Sequence, residues 1–335
     1  MSRPAYDGAI ADVPGITAGH WTDAAAATGC TVILCGESAT GGVAVRGGSP
    51  GTHETDLLNP IRRVDRVHAI VLSGGSAFGL AAAGGVQQWL EERHIGFQTL
   101  HGYVPIVPAA ILYDLGVGKS DVRPDTVSGY AACDAAAGGP FPSGSVGAGA
   151  GATVAKAFGL AGAVKGGIGS ARCVLPDGVS VGAAVAVNAW GGVRDHRDGS
   201  LVAGPRRRDG TMADPVDVML TGETSAERPL GKELGLVNTT IGVVATDAVL
   251  DKMQVNFVAS SAHDGLGLTI HPCHTPIDGD TMFCVATGQN SAPADLITIV
   301  AAATQVTALA VIDAVRSATG VDGIPAVSEL NIASH

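Results

Sequence analysis

The feature that most constrains this chain is a series of short apolar runs, each bounded by glycine. TVILCG (31–36), GVAVRGG (42–48), AIVLSGG (69–75), GVSVGAAVAVNAW (178–190), TIGVVATDA (240–248) and TMFCVATG (281–288) recur along it. Runs this short and this uniformly apolar read as strands buried on both faces. Small side chains among the branched ones let covering layers approach closely. Glycine supplies 48 of 335 residues and apolar side chains 46%, enough to bury a large core. Disorder, a coiled coil and a collagen-like repeat are excluded by the same composition. No internal repeat and no second domain border is visible, so residues 1–335 read as a single domain.

Three segments read as helices. The first runs from Ser76, an N-cap candidate, to about His94. The second, about Leu250 to Leu266, places Leu250, Met253, Phe257 and Leu266 near one face. The third, about Ala294 to Ala318, is apolar almost all round, so it must be covered by a sheet and by other helices or another subunit. Its longest apolar stretch, Leu296 to Ile312, is short for a membrane span and is interrupted by Thr298, Thr304, Gln305 and Thr307. A core helix is the better reading. Strands and helices together suggest sheets sandwiched between helical layers.

The net charge is −11, which argues against nucleic acid, a partner that demands basic surface. Residues 193–237 concentrate 7 basic and 8 acidic side chains and read as a solvated surface excursion leading into the apolar strand near Asn238. The six cysteines form no Cys-x-x-Cys pair, and the N-terminus has no apolar signal region. A cytoplasmic protein with reduced, packed thiols is expected.

Several motifs fail on context. Gly47-Gly48-Ser49-Pro50-Gly51 matches a nucleophile elbow, but Pro50 and the residues after it suit a loop rather than a helix. Gly147, Gly149 and Ala152 match a dinucleotide-binding pattern without a good strand before it. His53, Glu54 and Asp56, or His271 and His274, lack the spacing of a metal site. His263 reads as structural. No metal and no cofactor is signalled.

Two segments stand out: LVNTTIGVVATDA (236–248) and HTPIDGDTMF (274–283). On spacing alone they are a strand opening and a turn. Together with RGGSPGTHETDLL (46–58), LSGGSAFGLAAAGGVQQWLEE (72–92) and VPIVPAAILYDLGVG (104–118), they make the sequence resemble the self-processing L-aminopeptidase/D-esterase family. That family includes β-peptidyl aminopeptidases and the endo-type nylon-oligomer (6-aminohexanoate oligomer) hydrolase. The resemblance runs in order from about Asp12 to Ile324.

The resemblance implies a four-layer α-β-β-α sandwich of N-terminal-nucleophile type with its own connectivity. It implies one inactive chain that cuts itself between Asn238 and Thr239, into a long chain (1–238) and a short chain (239–335). Thr239 then becomes the N-terminal nucleophile. Asp278 and Asp280 match the family's Asp-x-Asp pair, Lys156 its active-site lysine, Asn188 its active-site asparagine and Tyr113 a substrate-contacting tyrosine. An N-terminal amine, with a pKa of about 7.7–8.0, can take the hydroxyl proton near neutral pH. Before the cut that nitrogen is an amide, so self-cleavage needs another activator, Lys156 or the Asp278/Asp280 pair. Asn188 is expected as an oxyanion donor, and the two aspartates as groups that orient the Thr239 amine.

The surroundings GVVATDA match the broad family better than the nylon-oligomer hydrolase, and that hydrolase's N-terminal extension is not expected here. The expected activity is hydrolysis of linear amides such as 6-aminohexanoate oligomers through an acyl-enzyme on Thr239. The alternatives are an aminopeptidase or esterase on small peptides, β-peptides, amides or esters, an acetyl transferase on a related scaffold, and a non-catalytic binding protein. A homotetramer of cleaved protomers is the assembly the resemblance implies.

Overall fold

The computed structural model describes residues 6–223, 238–292 and 295–330. Its strands are β1 (Thr17–Asp23), β2 (Thr28–Val45), β3 (Arg66–Ser73), β4 (Ala109–Ile111), β5 (Gly167–Val174), β6 (Ser180–Asn188), β7 (Thr239–Ala248) and β8 (Thr281–Asn290). Its helices are α1 (Ala82–Glu91), α2 (Thr126–Asp134), α3 (Pro215–Thr221), α4 (Lys252–Thr269) and α5 (Leu296–Arg316).

The eight strands and the short strand Thr52–His53 form one hydrogen-bonded sheet in the order β5-β6-β7-β8-β2-β3-β4 and Thr52–His53, with β1 also paired to β2. The sheet folds over on itself through β2. The 40–45 half of β2 pairs with β8, while residues 28–34 pair with β1, and β2 joins β3 on both sides of a register shift between Leu34 and Ala39. Two sequence runs expected as separate strands, 31–36 and 42–48, are therefore one long strand.

Side-chain alternation then defines four layers. Ile33 and Cys35 of β2, with Ile70 and Leu72 of β3, face inward onto Ala184, Ala186, Ile241, Val243, Phe283 and Val285 of β6, β7 and β8. The intervening residues Cys30, Val32, Ala69 and Val71 face α1 and α2. On the opposite outer side, Val181, Val185, Val244, Met282 and Cys284 meet α4 and α5. The result is the expected α-β-β-α order, with its two sheet layers continuous through β2.

Helix starts follow side-chain caps. Asp251 accepts from Gln254 N at 2.8 Å while Gln254 Oε1 accepts from Asp251 N at 2.9 Å, a reciprocal capping box for α4. Asp295 caps α5 through Ile297 N. Ser76 is not a cap: it has φ 55° and enters a 3-10 turn, Ser76–Ala81, ahead of α1. The expected apolar face of α4 also splits. Leu266 is buried, but Met253 and Phe257 are exposed, because the sheet-facing stripe is Val255, Val258, Ala259 and Ala262. Residue 294, the expected start of the third helix, lies outside the described residues. By length and composition α5 could cross a bilayer, yet Ala303, Val306, Ala310 and Ala314 are buried against β5, β6 and α4.

The charged stretch is more structured than a solvated excursion. Strands Gly192–Arg194 and Leu201–Ala203 pair, α3 follows, and Val202, Ala203, Ala213 and Val218 are buried. Residues 224–237 lie outside the described residues.

Close approach of α4 to α5 depends on Gly265. A Cβ there would lie 2.5 Å from Thr304 O and 2.8 Å from Thr307 Cβ. Two residues on, Gly267 faces solvent, and a Cβ there would meet only Cys273 Sγ at 3.9 Å. Gly265→Ala is therefore expected to lose about 1–3 kcal/mol by overpacking, whereas Gly267→Ala should gain about 0.5–1 kcal/mol from backbone entropy. Denaturant titration of the two variants checks the opposite signs.

Candidate active site

Strand β7 is flanked by two partners whose registers bring distant residues together. Antiparallel β6 sets Asn188 opposite Thr239. Parallel β8 sets Thr281 beside Ile241, and a bridge between Asn238 and Asp278 extends that pairing past the strand ends. The end of β6, the start of β7 and the turn before β8 thus meet at one end of the sheet.

At that point the Asn238–Thr239 peptide is intact and buried. Gly279 N donates to Asn238 O at 3.1 Å. The Thr239 hydroxyl donates to the same oxygen in a very short contact. The Asn238 carbonyl oxygen therefore receives one backbone N–H and the hydroxyl of the next residue. Gly279 leaves no room for a side chain, since a Cβ would stand 2.6 Å from Ser49 O and 2.8 Å from Thr239 Oγ1.

Lys156 approaches from the short turn Lys156–Phe158, whose preceding residue, Ala155, is left-handed at φ 60°. Its Nζ donates to Asn188 O at 3.0 Å and to Asn188 Oδ1 at 2.8 Å. Asn188 Oδ1 also accepts from Thr153 N at 2.9 Å, and Asn188 Nδ2 donates to Tyr113 O at 3.0 Å. The Asn188 amide is thus engaged on both ends within the uncut chain. Burial lowers Lys156 from the ordinary 10.5 to about 7, with Asp278 pulling the other way and Lys165 adding to the fall.

Lys165 is likewise fully buried, its Nζ donating to Gly149 O and Ala152 O at 2.9 Å and to Gly166 O at 3.1 Å. Burial takes it to about 7, against the attraction of Asp114. It clamps the 149–152 turn that leads to Thr153, which holds Asn188.

Both aspartates are also engaged. Asp278 Oδ1 accepts from Trp190 N at 3.3 Å, and its Oδ2 accepts from the Thr275 backbone N and hydroxyl. Burial, then the nearby Asp280, raises its pKa. Asp280 Oδ1 accepts from Thr240 N at 2.7 Å, so it anchors the amide that follows the Thr239 residue. Its Oδ2 faces His274, at 2.8 Å from Nδ1.

A cavity of about 240 Å³ opens beside Asn238, lined by Tyr113, Val117, Leu160 and Trp190, with Lys156 and Asp114 as its charged members. Asp114 is buried and accepts from Thr28 Oγ1 and Gly75 N, both at 2.7 Å. Burial raises its pKa.

Thr239, Asn238, Lys156, Asn188, Asp278, Asp280 and Tyr113 therefore meet in one place. Sequence reasoning missed four contributors. In the sequence Gly279 reads only as a turn residue, although it separates the two aspartates. Trp190 follows Asn188 by two, just past the end of β6. His274 carried no signal beyond a weak metal spacing. The 47–51 loop, set aside as a failed elbow, packs on the Asp-x-Asp turn, with Gly47 N on Asp280 O and Ser49 N on Asp278 O. Among the described residues no group of three His, Cys, Asp or Glu side chains is arranged to hold a metal.

Comparisons with known proteins identify the family and the fold. The sequence profile of peptidase family S58 matches residues 8–327. An uncharacterized aminopeptidase of Mycobacterium leprae is 44% identical, covering 94% of this chain and 92% of its own length. A 6-aminohexanoate-oligomer endohydrolase of Kocuria is 32% identical over 84% of this chain and 76% of its own. Among solved structures, the L-aminopeptidase D-Ala-esterase/amidase of Ochrobactrum anthropi, described as a variant of the N-terminal-nucleophile hydrolase fold, superposes with a TM-score of 0.70. It is 22% identical and covers 98% of this chain and 91% of its own. A Burkholderia β-aminopeptidase superposes at 0.68 with 23% identity, covering 97% and 92%. At these identities the superpositions show the fold alone.

The buried amines yield a direct test. In lysine-labelled Thr239→Ala protein, NMR should show two lysine side chains losing protons near pH 7, and Lys156→Met should remove one of those titrations. A Lys156 that titrates at the ordinary 10.5 would mean that water reaches the amine.

Proposed function

The chain belongs to peptidase family S58, is a hydrolase of amide bonds, and, we propose, makes its own nucleophile by cutting between Asn238 and Thr239. The observation that carries this reading is the Asn238 carbonyl, held by Gly279 N–H and touched by the hydroxyl of Thr239. In the proposed step, neutral Lys156 takes the Thr239 hydroxyl proton, and Oγ1 attacks the Asn238 carbonyl carbon. The oxygen becomes an oxyanion under Gly279 N–H, a type of contact worth about 3–4 kcal/mol. The C–N bond then breaks, the nitrogen takes the proton, and an Asn238 ester on Thr239 remains for water to hydrolyse. The freed Thr239 amine, with a pKa of about 7.7–8.0, afterwards serves as base for the same hydroxyl.

Turnover repeats the sequence on a bound amide, through an acyl-enzyme on Thr239. Asn188 holds Lys156 against the strand pair, and its amide becomes an oxyanion donor if it exchanges the Tyr113 carbonyl for substrate. Asp280 fixes the backbone after the nucleophile, and Asp278 supplies negative charge beside Lys156. The cavity next to Asn238 lies on the acyl side of the scissile bond. Its walls of Tyr113, Val117, Leu160 and Trp190 suit a linear, apolar acyl stem, such as a 6-aminohexanoyl unit. A second reading, an aminopeptidase, is favoured by Asp114, a carboxylate on the cavity wall able to receive a substrate ammonium. We also propose a homotetramer of cleaved protomers; Met253, Phe257 and Ile297 stand exposed on the outer helical layer.

Intact mass spectrometry of fresh and aged protein tests the cut. Wild type is expected to pass from 33.3 kDa to two fragments that meet between Asn238 and Thr239. Thr239→Ala should stay whole, and Lys156→Met should slow conversion by a factor of about 100 or more. Because the base acts in its neutral form, conversion should slow as pH falls through about 7. A wild-type chain that never divides overturns the proposal.

For the mature enzyme, 6-aminohexanoate oligomers with free and acetyl-blocked amines separate the two readings. Equal cleavage supports the linear-amide hydrolase. Cleavage of the free-amine form alone supports the aminopeptidase.

A further inference from the structure

The mechanism above leaves one half-buried group unused, His274 and Thr275, beneath the turn that carries Asp278, Gly279 and Asp280. His274 sits there with φ 55°, a left-handed conformation that non-glycine residues seldom take. In that conformation it makes two bonds to one carboxylate oxygen. Its backbone N donates to Asp280 Oδ2 at 3.0 Å, and its Nδ1 meets the same atom at 2.8 Å. Nε2 is buried and has no hydrogen-bond partner among the described residues. The next residue, Thr275, grips Asp278 with its backbone N and hydroxyl. The two residues before the turn therefore hold the two carboxylates after it, with Gly279 N–H fixed between them.

We propose that His274 is a positioning residue for the reaction: its imidazole locks the Asp278–Asp280 turn, so that Gly279 N–H stays on the Asn238 carbonyl and Asp280 stays on Thr240 N. The proposal rests on the reading of Thr239 as nucleophile, but the His274–Asp280 bond itself can be tested without it.

The surroundings fit a charged ring at this place. From α4, His263 packs edge-on against His274, with ring centroids 4.8 Å apart. Burial drives His263 down to about 4 despite its contact with Ala44 O, so it is neutral at working pH. From the end of β2, Arg46 turns away to Asp264 and Ser260. Cys273 is the chain neighbour, and Asp280 faces the ring with its Oδ2, while Asp278 is taken up by Trp190 N and Thr275. Burial alone would lower His274, but the hydrogen bond with Asp280 and the contact with Cys273 outweigh it and raise the ring to about 10. A group raised in this way keeps its charge through neutral pH and loses it as pH climbs towards 10, leaving a neutral ring whose Nδ1–H holds Asp280 by a weaker, no longer charge-paired bond.

Two substitutions suit the left-handed backbone. His274→Gly removes the ring, while His274→Asn keeps a side-chain N–H within reach of the same carboxylate. Loss of a half-buried bond to a charged partner should slow precursor cleavage in His274→Gly by about 10-fold or more. His274→Asn should recover to within about 3-fold of wild type, and it should lack the alkaline fall near pH 10. The companion measurement uses the uncleavable Thr239→Ala chain, in which His274 is followed by NMR. Its titration should lie far above 6.5 and fall towards that value when Asp280→Asn is added. Gly and Asn variants that cleave equally slowly, a Gly variant as fast as wild type, or a His274 titration indifferent to Asp280→Asn would each overturn the proposal. A wild-type chain that never cuts removes the Thr239 reading but leaves the NMR comparison decisive for the pair.

Discussion

Everything at the candidate site depends on how β7 is paired. One strand is hydrogen-bonded to an antiparallel neighbour on one side and a parallel neighbour on the other. The antiparallel side delivers Asn188, and through it Lys156. The parallel side delivers Asp278, Gly279 and Asp280. A slip of one residue in either ladder would turn every side chain of β7 to the opposite face and carry Thr239 away from Gly279 N–H. The register is held because both faces of β7 are buried. Ile241 and Val243 point into the space between the sheet layers, and Val244 and Ala248 point at the helices.

Small residues make that burial possible. The outer helices lie directly on the sheet and on each other, and Gly265 marks a place where a single methyl group would meet backbone. Tight packing of this kind resists shifts of a few tenths of an ångström. A site whose bonds span residues 113, 156, 188, 239 and 280 needs that stiffness, since these five come from five separate parts of the chain.

Electrostatics add a second layer of control. Two lysines are buried with their amines on carbonyl oxygens, and burial favours the neutral form of each. An amine near pH 7 can accept a proton, which a solvated lysine at neutral pH cannot. On the far side of β7 a histidine is shifted the opposite way by a carboxylate bond. Base character and fixed charge thus stand on opposite flanks of one peptide bond, each set by its surroundings rather than by residue type.

Much of this was legible in the sequence. Glycine-bounded apolar runs announced buried strands, and the family motifs located Thr239, Lys156, Asn188, Asp278, Asp280 and Tyr113, because strand patterning and long motifs are local properties of the chain. What the sequence did not show was what requires the third dimension. That 31–36 and 42–48 are one strand depends on how β2 crosses between layers. That Met253 and Phe257 face outward depends on which stripe of α4 the sheet covers. Gly279 and the 47–51 loop gain their places only where a turn and a distant loop meet. His274 became part of the site only once its ring was seen on Asp280, since a lone histidine in a loop has no pattern until folding supplies its partner. The sequence by itself determined the candidates for the chemistry; the tertiary structure decided which of them meet and through which atoms, because hydrogen bonds and burial are relations between segments far apart in the chain.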